Sequence, residues 1–346
     1  MKQIDPRLTT ANIPVFMLRS LVATLKDHNL DVSRLLVGLG LTLADIEDAE
    51  CRVSFRQGRE VILRALQMAE GFSLGLETGF RQKINSVGLV GYAMLTAPTV
   101  GEAVKLGLQF HKNTGSMLEF DTKLTTDGIA VTAASRFPEP GIYTFLVEEA
   151  FANFMTIGIG LVGDGFKPLR IELAYPEPAH SAAYHQIFGC EVRFGTTENI
   201  FLFDPNWYKQ PLATSDPFSN RQLREFIAYH HDRAKEAVET TEAVERVLRQ
   251  RLQKRVSISG VAKTLGMSER TLRRRLAEAS VSFQGLLDDL RKNKALELLS
   301  NPHMSVEQIA FTVGFTDPHN FRRAFRRWTG TTPGALRTDI SRIWPK

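Results

Sequence analysis

The sequence predicts two domains: a mixed α/β N-terminal domain, and an all-α C-terminal domain with two helix-turn-helix units joined by a bridging helix. Three observations indicate this fold class. Apolar residues switch between a helical period and a period of two in the first part of the chain. A pair of amphipathic helices then occurs twice, and basic residues are concentrated around it. We expect residues 1–236 and 240–346 to form the two domains.

Amphipathic spacing predicts several helices in the first part of the chain. Apolar residues recur there every three or four positions, which places them on one buried face of each helix. The predicted helices cover residues 13–28, 31–37, 42–47, 55–69, 87–95 and 100–111. The intervening segment 71–80 is rich in glycine, and we expect it to form a loop.

Strand patterns begin at residue 117. Apolar and polar residues alternate over 117–124, Asp127-Gly128 is a hairpin signal, and 129–136 continues as a second strand. Further on, the sequence predicts strands at 169–175, 191–194 and 199–203 and helices at 141–162, 179–188 and 218–235. Strands that alternate with helices favour a mixed α/β domain over a β-barrel. Residues 236–241 form the predicted interdomain linker.

The most informative motif covers residues 305–333. Apolar residues from Val306 to Val313 line one face of a helix, and Gly314 follows where helices commonly end at positive φ. Asp317 suits an N-cap, and Pro318 suits the first position of a second helix. That second helix interleaves aromatic residues with pairs of arginines. A helix with one buried stripe and an exposed basic face, set across a tight turn from a supporting helix, is typical of units that enter a DNA major groove.

The same pattern occurs once before, over residues 257–279. The first helices match at an offset of 48, from Ile258 to Gly266, and the second helices match at an offset of 49. Because small, apolar, glycine and arginine positions all recur, we interpret the two segments as an internal repeat. The helix-turn-helix units therefore cover about 257–279 and 305–328, and the apolar segment 283–299 is the predicted bridging helix.

The distribution of charge separates the two parts of the chain. Residues 246–346 carry 20 Lys and Arg against 8 Asp and Glu, whereas the rest carries 23 against 30. A basic end on an acidic body is typical of a protein that binds a polyanion. The clustering of arginines on two repeated helices favours DNA over a merely solvated basic surface.

The segment GFTDPHNFRRAFRRWTGTTPGALR, residues 314–337, resembles the C-terminal signature of AraC/XylS-type transcription regulators. The chain departs from the usual pattern at Pro318-His319-Asn320, where many members carry Gln, Ser or an aromatic residue. This difference bears on the bases that are read rather than on the fold. Residues 86–115 resemble the arabinose-binding-type sensor domain of the subgroup that contains ornithine-utilisation and virulence regulators.

The resemblance implies which residues contact DNA, because outward positions early in each recognition helix read bases in this family. The matching positions are Arg270, Arg273, Arg274, His319, Asn320 and Arg323. Arg322 shares the exposed face, whereas Arg327, like Arg326, lies later and is expected to contact phosphate or solvent. Arginine can bond guanine O6 and N7 together, and asparagine can bond adenine N6 and N7. For each arginine, a phosphate contact stays an alternative.

Chemical motifs are sparse in the N-terminal part. It has no phosphate loop, HExxH or GxSxG motif, and neither Cys51 nor Cys190 has partners at metal-ligand spacing, so we predict no cofactor and no metal. The resemblance implies a domain that senses a small molecule and dimerises, but the ligand-binding residues stay unknown. Aromatic residues either line an apolar pocket or belong to the core, namely Tyr143, Phe145, Phe201, Phe203 and Trp207.

These features predict a sequence-specific DNA-binding transcription regulator rather than an enzyme. Its expected partners are double-stranded promoter DNA, a small-molecule effector, a second copy of the chain and RNA polymerase. One alternative is an enzyme of the DNA alkyl-transfer repair type, which would need an activated thiolate. Another is a non-specific architectural DNA-binding protein. The chain has no run of 18 apolar residues and no apolar N-terminal signal, so we expect a cytoplasmic protein without membrane contact.

Overall fold

The computed structural model describes residues 8–337 except 9, 138, 255, 280 and 302. It confirms the predicted fold class, since a region of mixed helices and strands precedes a helical region. The chain divides into two compact units, and the division falls between His231 and Asp232. We refer to them as the N-terminal unit and the C-terminal unit.

Most helices of the N-terminal unit lie close to their predicted positions, but the predicted helix over residues 31–37 is only a 3-10 turn at Val32–Arg34. They are α1 (Phe16–Asp27), α2 (Leu43–Glu47), α3 (Phe55–Met68), α4 (Leu74–Arg81), α5 (Leu89–Leu95), α6 (Val100–Gln109), α7 (Pro140–Val162), α8 (Ser181–Phe188) and α9 (Pro205–Tyr208). The starts of α2 and α3 follow from capping boxes, in which Thr42 and Ser54 each accept a hydrogen bond from the backbone three residues later. The sequence did not predict α9.

Two sheets complete this unit. The strands are β1 (Ala11–Pro14), β2 (Arg52–Ser54), β3 (Leu118–Leu124), β4 (Ile129–Ser135), β5 (Arg170–Leu173), β6 (Glu191–Phe194) and β7 (Asn199–Phe203). The larger sheet has the order β3-β4-β7-β5-β6, and only the β5–β6 pair is parallel. The predicted hairpin is confirmed, because Leu124 pairs with Ile129 across it. The short β1–β2 pair was not predicted.

The prediction of a loop over residues 71–80 was wrong, because most of this segment forms α4. Its glycines permit close packing on α7 rather than a turn. A Cβ on Gly79 would lie 2.0 Å from the backbone oxygen of Glu149, and a Cβ on Gly75 would lie 2.8 Å from that of Phe145. Glycine within a helix costs roughly 1 kcal/mol relative to alanine. The direct backbone contact between α4 and α7 offsets that cost here.

The central helix α7 is apolar on almost all sides, as expected of a helix inside a core. By length and composition alone it could cross a membrane, but 67% of its most apolar window is buried inside the protein. Its buried residues also include four polar ones, Glu148, Glu149, Asn153 and Thr156. This burial favours a core helix over a membrane span.

The remaining helices are α10 (Pro217–Gln250), α11 (Ile258–Thr264), α12 (Glu269–Glu278), α13 (Phe283–Leu299), α14 (Val306–Thr312) and α15 (Pro318–Thr329). The expectation that residues 236–241 form a linker between two helices was wrong, because they lie inside α10. Ala237, Thr240 and Thr241 are buried there. Both threonine hydroxyls donate to carbonyls four residues earlier, so the helix satisfies them without a break.

The C-terminal unit contains two small cores. The first joins Val244 and Leu248 of α10 to α11, α12 and the first half of α13. The second joins Ala295 and Leu299 of α13 to α14 and α15. Because α13 contributes one half to each core, it is the bridging helix that the sequence predicts.

Candidate functional site

The two helix-turn-helix units occur as the repeat predicts. The supporting helices α11 and α14 begin 48 residues apart, and the recognition helices α12 and α15 begin 49 residues apart. The additional residue therefore lies in the second turn. Ser257 and Ser305 cap the supporting helices, and Ser268 and Asp317 cap the recognition helices with side-chain hydrogen bonds.

A glycine with positive φ follows each supporting helix, and the two glycines differ in their surroundings. Gly266 has φ +68°, and no atom lies within 4 Å of the position that a Cβ would take there. Gly314 has φ +84° and would place a Cβ 2.1 Å from the Leu252 carbonyl oxygen. Arg291 of α13 donates from Nη2 to the Gly314 carbonyl at 3.0 Å. The second turn is therefore packed against neighbouring elements, whereas the first is open.

The first recognition helix, α12, buries Leu272 and Leu276 and exposes the arginines that the sequence singled out. Arg273 is 62% exposed, and its Nε and Nη2 donate to Glu269 Oε1 at 2.9 and 2.7 Å. Arg270 is exposed and forms no ion pair with any residue that the structure describes. Because Glu269 on the same helix restrains the Arg273 side chain, Arg273 loses less conformational entropy when it binds DNA.

Ion pairs also connect α12 to α10. Arg274 Nη1 donates to Glu278 Oε1 at 3.0 Å, and Arg233 of α10 bonds the same carboxylate. Arg275 Nη2 donates to Glu236 Oε2 of α10 at 2.7 Å. Sequence reasoning missed this set because it placed residue 236 in a linker. Partly exposed pairs each contribute little stability, so their effect is to orient the side chains.

The second recognition helix, α15, buries Phe321 and Phe325. Its exposed face carries all the residues predicted there, namely His319, Asn320, Arg322, Arg323, Arg326 and Arg327. Arg322 forms an ion pair with Glu307 of α14. Within the described residues, Arg323 and Arg326 form none. These two guanidinium groups therefore do not have to break an ion pair with a described residue before they bind a phosphate or a base.

Arg327 has a partner that the sequence did not reveal. Its Nη2 donates to Asp288 Oδ2 of α13 at 2.7 Å, although the Arg327 side chain is 67% exposed. The Asp288 side chain is only 19% exposed. Asn320 and Arg323 line the same polar groove between α13 and α15. Arg327 thus links the second recognition helix to the bridging helix by an ion pair.

The exposed face of the C-terminal unit can therefore contact both bases and phosphates. α12 contains four arginines and two glutamates, and α15 contains four arginines and no acidic residue. An arginine side chain can bond a guanine edge or neutralise a phosphate, so both kinds of contact are chemically available to these helices.

Comparison with known protein families agrees with this geometry. Residues 30–212 match the family model for the arabinose-binding N-terminal domain of AraC transcription regulators, and residues 261–339 match a helix-turn-helix domain. The first match alone covers more than half of the chain. The chain belongs to the AraC family of transcription regulators. It is a helix-turn-helix DNA-binding regulator with an N-terminal ligand-binding domain of the arabinose-binding type.

Curated relatives align with this chain over most of their length. The ornithine utilization regulator of Pseudomonas aeruginosa is 26% identical over 337 residues, which cover 95% of this chain and 97% of that protein. The regulator VqsM of the same organism is 28% identical over 288 residues, covering 77% of this chain and 84% of the relative. A crystal structure of the regulator CdpR from P. aeruginosa aligns with a TM-score of 0.48 at 21% identity, covering 93% of this chain and 98% of that one.

The N-terminal unit contains a cavity of about 110 Å³ between α6, α7 and the larger sheet. Its lining is mostly apolar and includes Phe120, whose ring centroid lies 5.1 Å from that of Phe154. Phe201 and Phe203 from β7 also line it, as one interpretation of the sequence had it. The other aromatic residues considered, Tyr143, Phe145 and Trp207, are not part of the lining.

Glu149 and Asn153, one turn apart on α7, introduce polar groups into this cavity. Gln82 Nε2 donates to Glu149 Oε1 at 2.5 Å. Burial raises the pKa of Glu149 to about 7, and the hydrogen bond from Gln82 opposes this rise. In a large fraction of the molecules, the Glu149 carboxyl group is therefore protonated and uncharged at neutral pH. Two adjacent acids inside an apolar 141–162 segment were the signal that sequence reasoning overlooked.

The two cysteines are poor candidates for nucleophilic chemistry. Burial raises the pKa of the Cys51 thiol, and it raises the pKa of the Cys190 thiol to about 11. An acceptor in alkyl transfer needs the opposite change, because the thiolate is the nucleophile. Among the described residues, no group of three potential metal ligands occurs.

Proposed function

We propose that the regulator binds specific promoter sites as a homodimer and that a small molecule held in the N-terminal cavity changes its DNA binding. The proposed DNA binding rests on the two exposed, arginine-rich recognition helices, which belong to two cores that share α13. Two such helices on one bridging helix can enter successive major grooves, about 34 Å apart along the duplex.

The proposed contacts follow from position along each helix. The candidate base-reading residues are Arg270, Arg273, Arg274, His319, Asn320 and Arg323. Arg322, Arg326 and Arg327 are assigned to phosphates, and for Arg327 the contact competes with its ion pair to Asp288. Exposure of all these side chains supports the assignment.

A homodimer would raise the effective concentration of the second DNA-binding domain at a paired site. Exposed apolar residues of the N-terminal unit support a self-complementary surface, since Leu89 and Tyr92 of α5 are 46% and 49% exposed. The helix α7 is largely buried in the core and is not part of the proposed surface. Sedimentation of the full chain at micromolar concentration tests the dimer, and a monomer under those conditions would contradict it.

We further propose that the DNA-binding domain begins near residue 232 rather than 240. The contacts of Arg233 and Glu236 with α12, together with the buried Ala237, support the earlier start. A fragment from residue 232 onwards is expected to bind a natural site at least ten times more tightly than one from residue 240, because the longer fragment keeps α12 oriented. Equal affinities would place the boundary at 240.

The decisive experiment maps bound sites across the genome and then compares the affinity for one such site with that for bulk DNA. A specific regulator prefers its site by about 10³-fold or more, whereas an architectural protein shows no such preference. We propose that the protein regulates these promoters in the cytoplasm through contact with RNA polymerase. The rate of transcription from them is then measured with and without the protein. A thiol titration with alkylated DNA tests the repair-enzyme alternative, which the raised cysteine pKa values disfavour.

A further inference from the structure

The chemistry of the N-terminal cavity restricts what can bind there. Its lining contains no lysine or arginine, as far as the described residues go, and its one acidic side chain is Glu149. A zwitterionic amino acid would need a partner for its carboxylate, and burying an unpaired charge costs far more than burying a neutral group. A sugar would need a partner for each hydroxyl.

Most polar groups at the cavity already have protein partners. His111 Nδ1 bonds the Leu108 carbonyl at 2.7 Å, whereas its buried Nε2 makes no hydrogen bond to a described residue, although a carboxyl oxygen of Glu119 lies 3.3 Å away. Thr114 donates its hydroxyl to the His111 carbonyl at 2.6 Å. The hydroxyl of Ser116 accepts a bond from the backbone of the strand that follows it. Apart from His111 Nε2, these bonds stabilise the cavity wall.

Besides His111 Nε2, two polar side chains on one helix, Glu149 and Asn153, keep capacity for a ligand. Gln82 uses only one carboxyl oxygen of Glu149, and no described residue bonds the other oxygen, Oε2. Asn153 donates to Thr156 only over a long 3.4 Å contact. Glu149 and Asn153 are each 8% exposed, and they lie on the same face of α7 within the lining.

We propose that this cavity binds a small, uncharged, mainly apolar molecule that carries one hydroxyl or carbonyl group, which Glu149 and Asn153 hydrogen-bond. The aromatic side chains Phe120, Phe154 and Phe201 surround the apolar part of the ligand. The cavity is similar in size to an engineered void of about 150 Å³ that admits benzene, so the ligand is small. This inference rests on the proposed effector role of the N-terminal unit and specifies the class of effector.

The test uses the full-length chain with phenol, benzene, L-ornithine and L-arabinose as probes, and calorimetry to measure affinity. Phenol is expected to bind at one site, about 3–10 times more tightly than benzene, because it gains one buried hydrogen bond. L-Ornithine and L-arabinose are expected not to bind in the cavity.

Two variants locate the site. Ala150→Leu fills part of the cavity, since Ala150 is buried in its wall, and should weaken phenol and benzene at least tenfold. Asn153→Leu keeps the volume similar and should reduce the preference for phenol, which Glu149 alone then supports, without weakening benzene. Leu124→Ala is the control, because its side chain is 80% exposed and lies outside the lining. Circular dichroism verifies that each variant is folded.

Phenol binding that Ala150→Leu and Asn153→Leu leave unchanged would overturn the proposal, as would the absence of binding by both phenol and benzene. Cavity binding of L-ornithine or L-arabinose that changes DNA affinity would overturn the ligand class and uphold the effector role. Phenol binding as expected, with unchanged affinity for a natural DNA site, would uphold the ligand class and count against the effector role.

Discussion

The two helix-turn-helix units arise from one repeated pattern, yet they hold their arginines differently. In the first unit, carboxylates of α12 itself and of α10 pair with Arg273, Arg274 and Arg275. In the second unit, the paired arginines Arg322 and Arg327 use partners on other helices, and the α15 helix itself has no acidic residue. The same backbone pattern therefore presents a largely compensated surface in one unit and a strongly basic surface in the other.

This difference separates two tasks that DNA-binding proteins must perform. Pre-positioned arginines lose less side-chain entropy when they bond a base, which favours discrimination. Uncompensated arginines release more counterions from DNA, which favours affinity for every sequence. We infer that the first unit contributes more to discrimination and that the second contributes more to affinity.

The largest expected effect concerns the two turn glycines. Gly314→Ala should lower the free energy of unfolding by about 3 kcal/mol or more, because the new Cβ would overlap the Leu252 carbonyl oxygen and φ is positive. The matched change Gly266→Ala meets only the φ penalty and should cost about 1 kcal/mol. Urea unfolding of the full chain, monitored by circular dichroism, measures both. Equal costs would mean that the second turn is no more constrained than the first.

A smaller effect is expected from removing a carboxylate. Glu269→Gln should raise the affinity for bulk DNA about 3–10-fold at low salt, because it removes a negative charge and releases Arg273. The salt dependence should steepen by about one unit. Glu307→Gln in the second unit is the matched control and should change less, since Arg323 and Arg326 there are already without carboxylate partners among the described residues. An unchanged bulk affinity for Glu269→Gln would remove the proposed distinction.

The smallest effect distinguishes two neighbouring arginines of α15. Arg326→Ala should reduce the salt slope of DNA binding by about one unit, with stability unchanged within about 0.5 kcal/mol. Arg327→Ala should reduce the slope less and cost about 1 kcal/mol of unfolding free energy, because the largely buried Asp288 loses its partner. Filter binding at several salt concentrations and urea unfolding measure the two quantities. Identical behaviour of the variants would indicate that the Asp288 pair contributes nothing.

The sequence predicted the C-terminal unit in detail because its signals are local. Capping residues, helical spacing and turn glycines such as Gly314 each act within a few positions. Because the unit is repeated, each of these patterns occurs twice in the sequence. The exposed faces of α12 and α15 followed from the same spacing, and the family resemblance indicated which residues on them contact DNA. Their ion-pair partners did not, because Asp288 and Glu236 lie 39 residues from the arginines that they bond.

The N-terminal unit was predicted less well for the same physical reason. The glycines of α4 suggested a loop, and only the contact with the distant backbone of α7 explains why they are helical. The cavity depends on residues from α6, α7 and the sheet, so no single segment indicates it. A buried acid such as Glu149 becomes interpretable only when its surroundings are known.

Both recognition helices are proposed to read base edges, and the base-preference profiles of Arg273→Ala and Arg323→Ala distinguish base reading from phosphate contact in each helix. Affinity is measured across all single-base variants of one natural site at constant salt. Each substitution should weaken the free energy of DNA binding by about 1–3 kcal/mol and flatten the base preference at one or two positions of the site. The two groups of positions should lie about one helical turn of DNA apart, roughly 10 base pairs. An unchanged profile for either variant, with uniformly weaker binding, would make that arginine a phosphate contact and contradict the claim for its helix.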